Sequence, residues 1–265
     1  MVRGFLFLLF VTAAIGQEPL PKAHAHNDYK HERPLLDALA HGFCGVEADI
    51  YLVDGKLLIA HDPTEVRPER SLQSLYLDPL RERAKTNKGH IYPKAVPFTL
   101  LIDIKSDGET TYRALSKILA GFSDLVSDQN TERAVTVVIS GNRAKNLIAA
   151  DDPRHAGIDG RLSDLNSNLD KRLLPLISDH WARHFNWSGE GDMPAPEREK
   201  LHAIVETAHS AGRRVRFWAT PEKESVWREL NAAGVDLINT DDLAGLSAFL
   251  RALPSTRPTL APSKP

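Results

Sequence analysis

The sequence predicts an α/β fold, a single TIM (β/α)8 barrel. Two patterns carry that expectation: eight apolar runs of strand length, and helical stripes of 3.6-residue period between them. At 265 residues the chain is also long enough for one such barrel, with no long linker to divide it.

The strand candidates are Lys22 to His26, Gly45 to Leu52, Phe98 to Ile104, Ala134 to Ser140, a weaker segment at Gly157 to Leu162, Leu174 to Ser178, Val215 to Ala219 and Val235 to Asn239. Between the first two, Pro34 is expected at the first helical position. Leu35, Leu36 and Leu39 form the stripe there, and Gly42 marks the stop. Leu115, Ile118, Leu119 and Phe122 recur at helical spacing, as do Leu201, Ile204, Val205 and Ala208 before Gly212, and Leu243, Leu246, Phe249 and Leu250 in the last helix. Residues 53–97 exceed a simple crossover. They open with a hairpin, Leu52 to His61 around Asp54-Gly55, followed by a polar segment read either as a cover for the barrel mouth or as a surface embellishment.

Both termini read differently from the barrel. Arg3, the apolar run Phe5 to Ile15, and Ala14 and Gly16 before Gln17 mark residues 1–16 as a signal peptide, so the mature protein is expected to be exported, secreted or periplasmic. The run is too short for a transmembrane span, and nothing later in the chain replaces it. Residues 17–252 form the predicted barrel domain. Residues 253–265, with three prolines in the last nine, are expected to be a disordered tail. Cys44, the only cysteine, has no intrachain partner and is read as a small buried hydrophobe. A formal net charge of −2 with scattered cations gives no nucleic-acid footprint, which leaves a small molecule or a lipid headgroup as the expected partner; the sequence does not fix an oligomeric state.

Chemistry concentrates on the second strand and its neighbours. In Gly45-Val46-Glu47-Ala48-Asp49 the two acids lie two residues apart, so they share one strand face near the C-terminal mouth. Side by side they repel unless a cation lies between them, and oxygen donors favour Mg2+ or Ca2+. The competing reading, ordinary surface acids, fits poorly with the apolar flanks Val46, Ile50 and Leu52. On the third strand Asp103 is placed to complete a three-carboxylate set, and Lys105 to stabilise negative charge on a phosphoryl oxygen; the rival is a plain ion pair between the two. Among eleven histidines, only His26 in His24-Ala25-His26-Asn27-Asp28-Tyr29 and His61 in Ile59-Ala60-His61-Asp62 follow apolar strands at the mouth, as a general base and acid would. His24, deeper in the first strand, is read as a polar interior group. Asn27, Ser140, Arg143, Asp179, Trp218 and Asp241 fall at strand ends, with Asn27 and Trp218 as the substrate-binding candidates. The Trp-containing stretch His180 to Asp192 is read as structural rather than as a lipid-contacting loop.

This order of motifs resembles the superfamily of phospholipase C-like phosphodiesterases, which contains glycerophosphodiester phosphodiesterases, phosphatidylinositol phospholipases C and sphingomyelinases D. The family's opening His corresponds to His26, its Glu-x-Asp pair to Glu47 and Asp49, its second His to His61, and its acid-x-Lys to Asp103 and Lys105. Phe217-Trp218-Ala219-Thr220 and Gly234 to Asp242 are similar to its seventh and eighth strands. The HNDY, HDP and SLYLDPL stretches look most like the branch containing fungal altered inheritance of mitochondria protein 6. The resemblance implies a metal-dependent phosphoric diester hydrolase with one divalent cation, acting on a glycerophosphodiester or phospholipid-type substrate. Two departures, Asn27 where glycerophosphodiesterases carry Arg and Asp103 where they carry Glu, keep two alternatives in view: a sphingomyelinase D-like transferase forming a cyclic phosphate, and a non-catalytic headgroup-binding barrel. A metal-dependent amidohydrolase would need metal ligands where Ser140 and Arg161 stand, and a metal-independent lyase would not retain three converging acids.

Overall fold

The computed structural model describes residues 18–254; the predicted signal peptide and all but the first two residues of the predicted tail lie outside them. Eight parallel strands, β1 (Leu20–Ala25), β2 (Phe43–Val53), β4 (Phe98–Ile104), β5 (Val135–Gly141), β6 (Gly157–Gly160), β7 (Leu176–His180), β8 (Arg214–Trp218) and β9 (Leu237–Thr240), form the sheet, and β3 (Lys56–Ile59) adds an antiparallel hairpin on β2. Because β1 pairs with both β9 and β2, the sheet closes into the predicted TIM barrel.

Continuous apolar runs make the central strands, as a sheet covered on both faces requires: β4 and β5 are paired along their whole length, from Phe98 opposite Val135 to Ile104 opposite Gly141. Helices α1 (Leu36–Ala40), α2 (Asp78–Thr86), α3 (Gly108–Ala120), α4 (Lys145–Ala150), α5 (Ala195–Ser210), α6 (Glu224–Ala232) and α7 (Leu243–Ala252) connect the strands outside the barrel. The side chain of Asp107 caps α3 by accepting from Thr110 N, and Asp242 caps α7 by accepting from Gly245 N. The predicted stripes on α3, α5 and α7 pack against the sheet, with Leu115, Leu119, Leu201, Ile204, Val205, Leu246 and Phe249 all buried.

The first helix departs from expectation. It begins at Leu36, not Pro34, because Leu35 sits at its cap with φ 64°, and this turn buries Leu35 while leaving Leu36 exposed. The weak fifth candidate, β6, ends at Gly160, so Arg161 and Leu162 belong to the following loop, and the sixth candidate, β7, is displaced two residues along the chain to Leu176–His180. Trp181, Phe185 and Trp187 are buried against Phe217 and their surroundings, so the His180 to Asp192 stretch is structural, as its scattered aromatics suggest.

Inside the barrel the period-two alternation of the strands builds layers. Leu101, Val138, Leu176 and Leu237 form a small apolar cluster separate from the main core. Two residues farther along the same strands stand Asp103, Ser140, Ser178 and Asn239, so the interior changes from apolar to polar within one repeat toward the mouth.

Residues 53–97 neither simply cover the mouth nor merely decorate the surface. The Asp54-Gly55 turn has positive φ at both residues, 49° and 76°, as a tight hairpin demands. Beyond His61 the segment is clamped to the loop after β1: Tyr76 OH donates to Asp28 Oδ2 at 2.8 Å and Arg70 Nη2 to Tyr29 O at 2.6 Å. It then supplies the crossover helix α2 and reaches the start of β2, where Tyr92 OH donates to Phe43 O at 2.6 Å.

Asp28 is wholly buried, and burial pushes its carboxyl up to about 7, although Leu35 N and Tyr76 OH both donate to it. A folded value above that of the unfolded chain makes the protonated acid the stabilising form. Its contribution is complete below about pH 4 and is lost as pH rises through about 7. Asp28→Asn keeps an oxygen acceptor without the charge. Denaturation curves should therefore show the wild type losing stability relative to the variant by roughly 1.4 kcal/mol per pH unit across that window. Parallel pH profiles for the two proteins would contradict this account of Asp28.

Candidate active site

β2 and β4 present their acids in register, Asp49 opposite Asp103, one repeat above the inner apolar cluster. Glu47 and Asp49 share a strand face, and Asp103 joins them so that one oxygen from each acid lies within 4.8 Å of the others. Among the described residues this is the one group of three side chains so arranged for a metal ion.

The electrostatics of the three differ. Burial pushes Glu47 upward, but Arg216, donating to it from β8 across the interior, together with the nearby His24 and His26 outweighs this and holds it well below the usual carboxylate range. Arg216 is itself held by donating from Nε to Asn239 Oδ1 at 2.8 Å. Asp103 is raised to about 6, first by burial and then by the neighbouring charges of Asp49 and Glu47, with Lys105 opposing. Lys105 Nζ stands 3.1 Å from Asp49 and 3.3 Å from Asp103. Burial alone would lower it, but the two acids prevail and raise it, so it stays charged. The ion pair considered as the rival reading is therefore present, but one amine serves two acids.

Asp49 Oδ2 is crowded with donors, while Asp49 Oδ1 and Asp103 Oδ1 are buried with no hydrogen-bond partner among the described residues. Buried carboxylate oxygens left without partners are costly, and a hard cation among them would satisfy both. The donor set is all oxygen, which fits Mg2+ or Ca2+. Gly141 is part of this fit: at φ 67° it occupies the left-handed region, and a Cβ there would lie 2.0 Å from Asp103 Oδ1.

The two histidines are held alike. His26 Nδ1 is 2.9 Å from Asp241 Oδ1, and His61 Nδ1 is 2.9 Å from Asp49 Oδ2, so each ring is oriented through Nδ1 and keeps Nε2 for other work. His61 stands on the loop after β3, fixed by Tyr51 OH donating to its carbonyl at 3.1 Å and by its own N–H donating to Glu65 Oε2 at 3.1 Å; 44% of its side chain is exposed, so it is open to a ligand. His24 is buried in the interior, 3.7 Å from Glu47 and beyond hydrogen-bond reach, and burial lowers it to about 4, leaving it a neutral interior group.

Asn27 lies in the left-handed region at φ 48°, turning the chain after β1. Its amide is used within the site: Oδ1 accepts from Tyr29 OH at 2.7 Å, and Nδ2 lies 2.9 Å from His26 Nδ1 and donates to Asp241 Oδ1 at 3.3 Å. Trp218 closes the opposite rim, edge-on to His180 at 4.5 Å with Arg183 over its face at 5.7 Å. Asp179 accepts from the backbone of His180 and Leu162 and pairs with His184 at 3.2 Å, tying two loops together.

Two residues escaped the sequence reading. Tyr29 OH lies within 2.7 Å of both Asn27 Oδ1 and Asp49 Oδ2 and 3.1 Å from His61 Nδ1, joining both histidine neighbourhoods. It lies inside the His26 to Tyr29 motif, three residues after the histidine. Arg216 alternates with Trp218 on the inward face of β8, and that period-two spacing was the signal for it.

Comparison with known proteins agrees with this fold. The family profile described as AIM6-like phosphodiesterase domain matches residues 15–157, and the glycerophosphoryl diester phosphodiesterase family matches residues 214–244. The chain is 29% identical to altered inheritance of mitochondria protein 6 of Eremothecium gossypii, over 87% of this chain and 69% of that protein. It is 28% identical to an Arthroderma benhamiae homolog of the same protein, over 88% and 85%. Among solved structures, a glycerophosphodiester phosphodiesterase from Agrobacterium tumefaciens superposes with a TM-score of 0.55 at 16% identity, covering 87% of this chain and 99% of that one, which shows a shared fold. Since the first of these profiles spans more than half of the sequence and takes in β1 to β5 with His26, Glu47, Asp49, His61, Asp103 and Lys105, the chain belongs to the AIM6-like phosphodiesterase domain family.

Proposed function

We propose that this protein is a metal-dependent phosphoric diester hydrolase acting on a glycerophosphodiester or phospholipid-type substrate by two-histidine acid and base catalysis. The observation that carries this reading is the pair of buried, unpartnered oxygens on Asp49 and Asp103 beside two histidines each tied through Nδ1 to a carboxylate. Glu47, Asp49 and Asp103 would hold one Mg2+ or Ca2+, which when bound supplies Lewis-acid polarisation of a phosphoryl oxygen.

The remaining work falls to the chain's own groups. His26 is assigned the base, because Asp241 makes no ion pair with a Lys or Arg among the described residues and is available to stabilise the imidazolium formed on proton uptake. His61 is assigned the acid that protonates the leaving alkoxide, since Asp49 beside it already faces Lys105. Lys105 places positive charge where negative charge develops on phosphorus-bound oxygen. Asn27 and Tyr29 orient the two rings, and Trp218 offers a face for the substrate alcohol. The attacking group is water or, as in the sphingomyelinase D-like alternative that Asp103 favours, a neighbouring hydroxyl of the substrate. Export of the mature chain, supported by the leader pattern of residues 1–16, is part of the proposal; mass spectrometry of the secreted protein should find Gln17 at its N-terminus.

Hydrolysis of glycerophosphodiesters and lysophospholipids, followed by 31P NMR with metal and with chelator, tests the activity and separates an open phosphomonoester from a cyclic product. His61→Ala and His26→Ala should each lower kcat by about 10²–10⁴-fold. Activity that persists after both chelation and His61→Ala would refute the mechanism.

Metal binding has its own readout in stability. Arg216→Met leaves Glu47 buried without its partner, a loss of about 3–5 kcal/mol in chelator. Added Mg2+ or Ca2+ should raise the melting temperature of the wild type and recover part of the loss in Arg216→Met, while Asp103→Asn should abolish the response. A melting temperature indifferent to both ions in all three proteins would remove the metal from the proposal.

A further inference from the structure

Next to the three acids around the barrel mouth lies a second polar assembly that the proposed mechanism does not use. Asp159 on β6 is wholly buried and accepts from Ser140 Oγ at 2.9 Å and from Ser178 Oγ at 2.7 and 2.8 Å. Two guanidiniums converge on it. Arg161 Nη1 donates to Asp159 Oδ2 at 2.7 Å, and Arg143 Nη1 donates to the Asp159 carbonyl. Every hydrogen bond that either side chain makes to the described residues leaves from Nη1, so Nε and Nη2 of both arginines keep their donors.

Asp159 thus stands between two guanidiniums, with Asp164 and Asp103 adding negative charge near Arg143. Burial first, and then the charge of Arg161 beside it, pull Arg143 below its ordinary value, a sign of how close the two cations lie. Like charges held together, with one acid between them and free donors on each, are stabilised by a further oxyanion. Beside Arg143 opens a cleft of about 580 Å3, lined also by Gly141, Asn142, Lys145 and, at the start of α3, Asp107 and Glu109, with no large apolar side chain to receive an acyl chain. Gly141 lines that cleft and also packs against Asp103 Oδ1, so a single glycine stands between the cleft and the third acid of the proposed metal set. By register, Asp103 neighbours Ser140, and Ser140 bonds to Asp159 on the next strand. Two strand spacings, roughly 10 Å, therefore separate Asp103 from Asp159, to which both arginines donate. That distance suits two phosphoryl groups joined through a short polyol.

We infer that Arg143 and Arg161 form an anion receptor that takes a second phosphoryl group carried on the alcohol of the phosphodiester, so that the preferred substrate is a polar, doubly phosphorylated headgroup compound. This rests on the phosphodiesterase reading for its reaction but not for its binding.

The experiment compares two substrates differing in one group, glycerophosphoglycerol and the same compound bearing a terminal phosphate monoester, and in parallel measures binding of inorganic phosphate by calorimetry to Asp103→Asn protein without divalent cation. Wild type should favour the phosphorylated substrate in kcat/KM by on the order of ten- to a hundredfold. Arg143→Gln and Arg161→Gln should bring that ratio close to one and remove phosphate binding, with partial recovery in Arg161→Lys. A merely structural role would lower both substrates together and leave the ratio alone, which would overturn the inference. Should Arg161→Gln not fold, Arg143→Gln carries the test, because Arg143 makes only one bond, to a main-chain oxygen. Absence of turnover on both substrates with arginine-dependent phosphate binding intact would sink the hydrolase reading and leave the receptor standing. Turnover with no preference and no arginine-dependent binding would do the reverse.

Discussion

Closing eight strands around a charged interior makes compensation of charge the constraint on which this structure depends. Arg216 reaches from β8 to Glu47 on β2 inside the barrel, with Asn239 holding its other edge. Two charges out of water are tolerated only when their partners are close and their remaining donors are used. Glu47 is consequently fixed as a carboxylate, and its charge bears on Asp103 and Asp49 above it. Lys105 balances part of that charge. The rest adds to burial in raising Asp103, beside the two oxygens without partners among the described residues, which the proposed cation would satisfy.

The histidines depend on the same balance. His61 is not on a barrel strand; the β2–β3 hairpin delivers it to Asp49, and Tyr29, Tyr51 and Glu65 hold it there. Because Tyr76 and Arg70 clamp the insertion to the loop after β1, the segment carrying His61 and the turn carrying His26, Asn27 and Tyr29 form one packed unit. A disturbance at Asp28 is thus transmitted to both histidines through packing and hydrogen bonds rather than through the sheet.

Around the remainder of the mouth, polar side chains from β5, β6 and β7 replace the acids of β2 and β4. Ser140, Asp159 and Ser178 form a continuous hydrogen-bonded arc, and the arginines stand on its outer side. The acids of β2 and β4 and the arginine-bearing sector therefore lie side by side on one rim, where the inferred receptor would orient an elongated phosphorylated ligand more strictly than a single charged centre would.

The barrel, its strand count and most of its site were legible in the sequence because each follows from local pattern. Alternation puts Glu47 and Asp49 on one face, the apolar runs of β4 and β5 read as buried strands, and His26 and His61 each follow such a run. Local pattern also accounts for the misses. The start of α1 was misplaced because a left-handed Leu35, held by its N–H donating to the distant Asp28, overrides the proline signal. Arg216 looked like any strand arginine until closure of the sheet brought β8 opposite β2. Tyr29 has Asn27 within its own turn, but it gained Asp49 and His61 only when β2 and its hairpin came against the loop after the first strand. Sequence fixes which face a side chain takes along its own strand, since that depends on a two-residue repeat. Which groups meet across the barrel depends on contacts between residues as far apart as Glu47 and Arg216, 169 positions in the chain, and only the tertiary structure decides those.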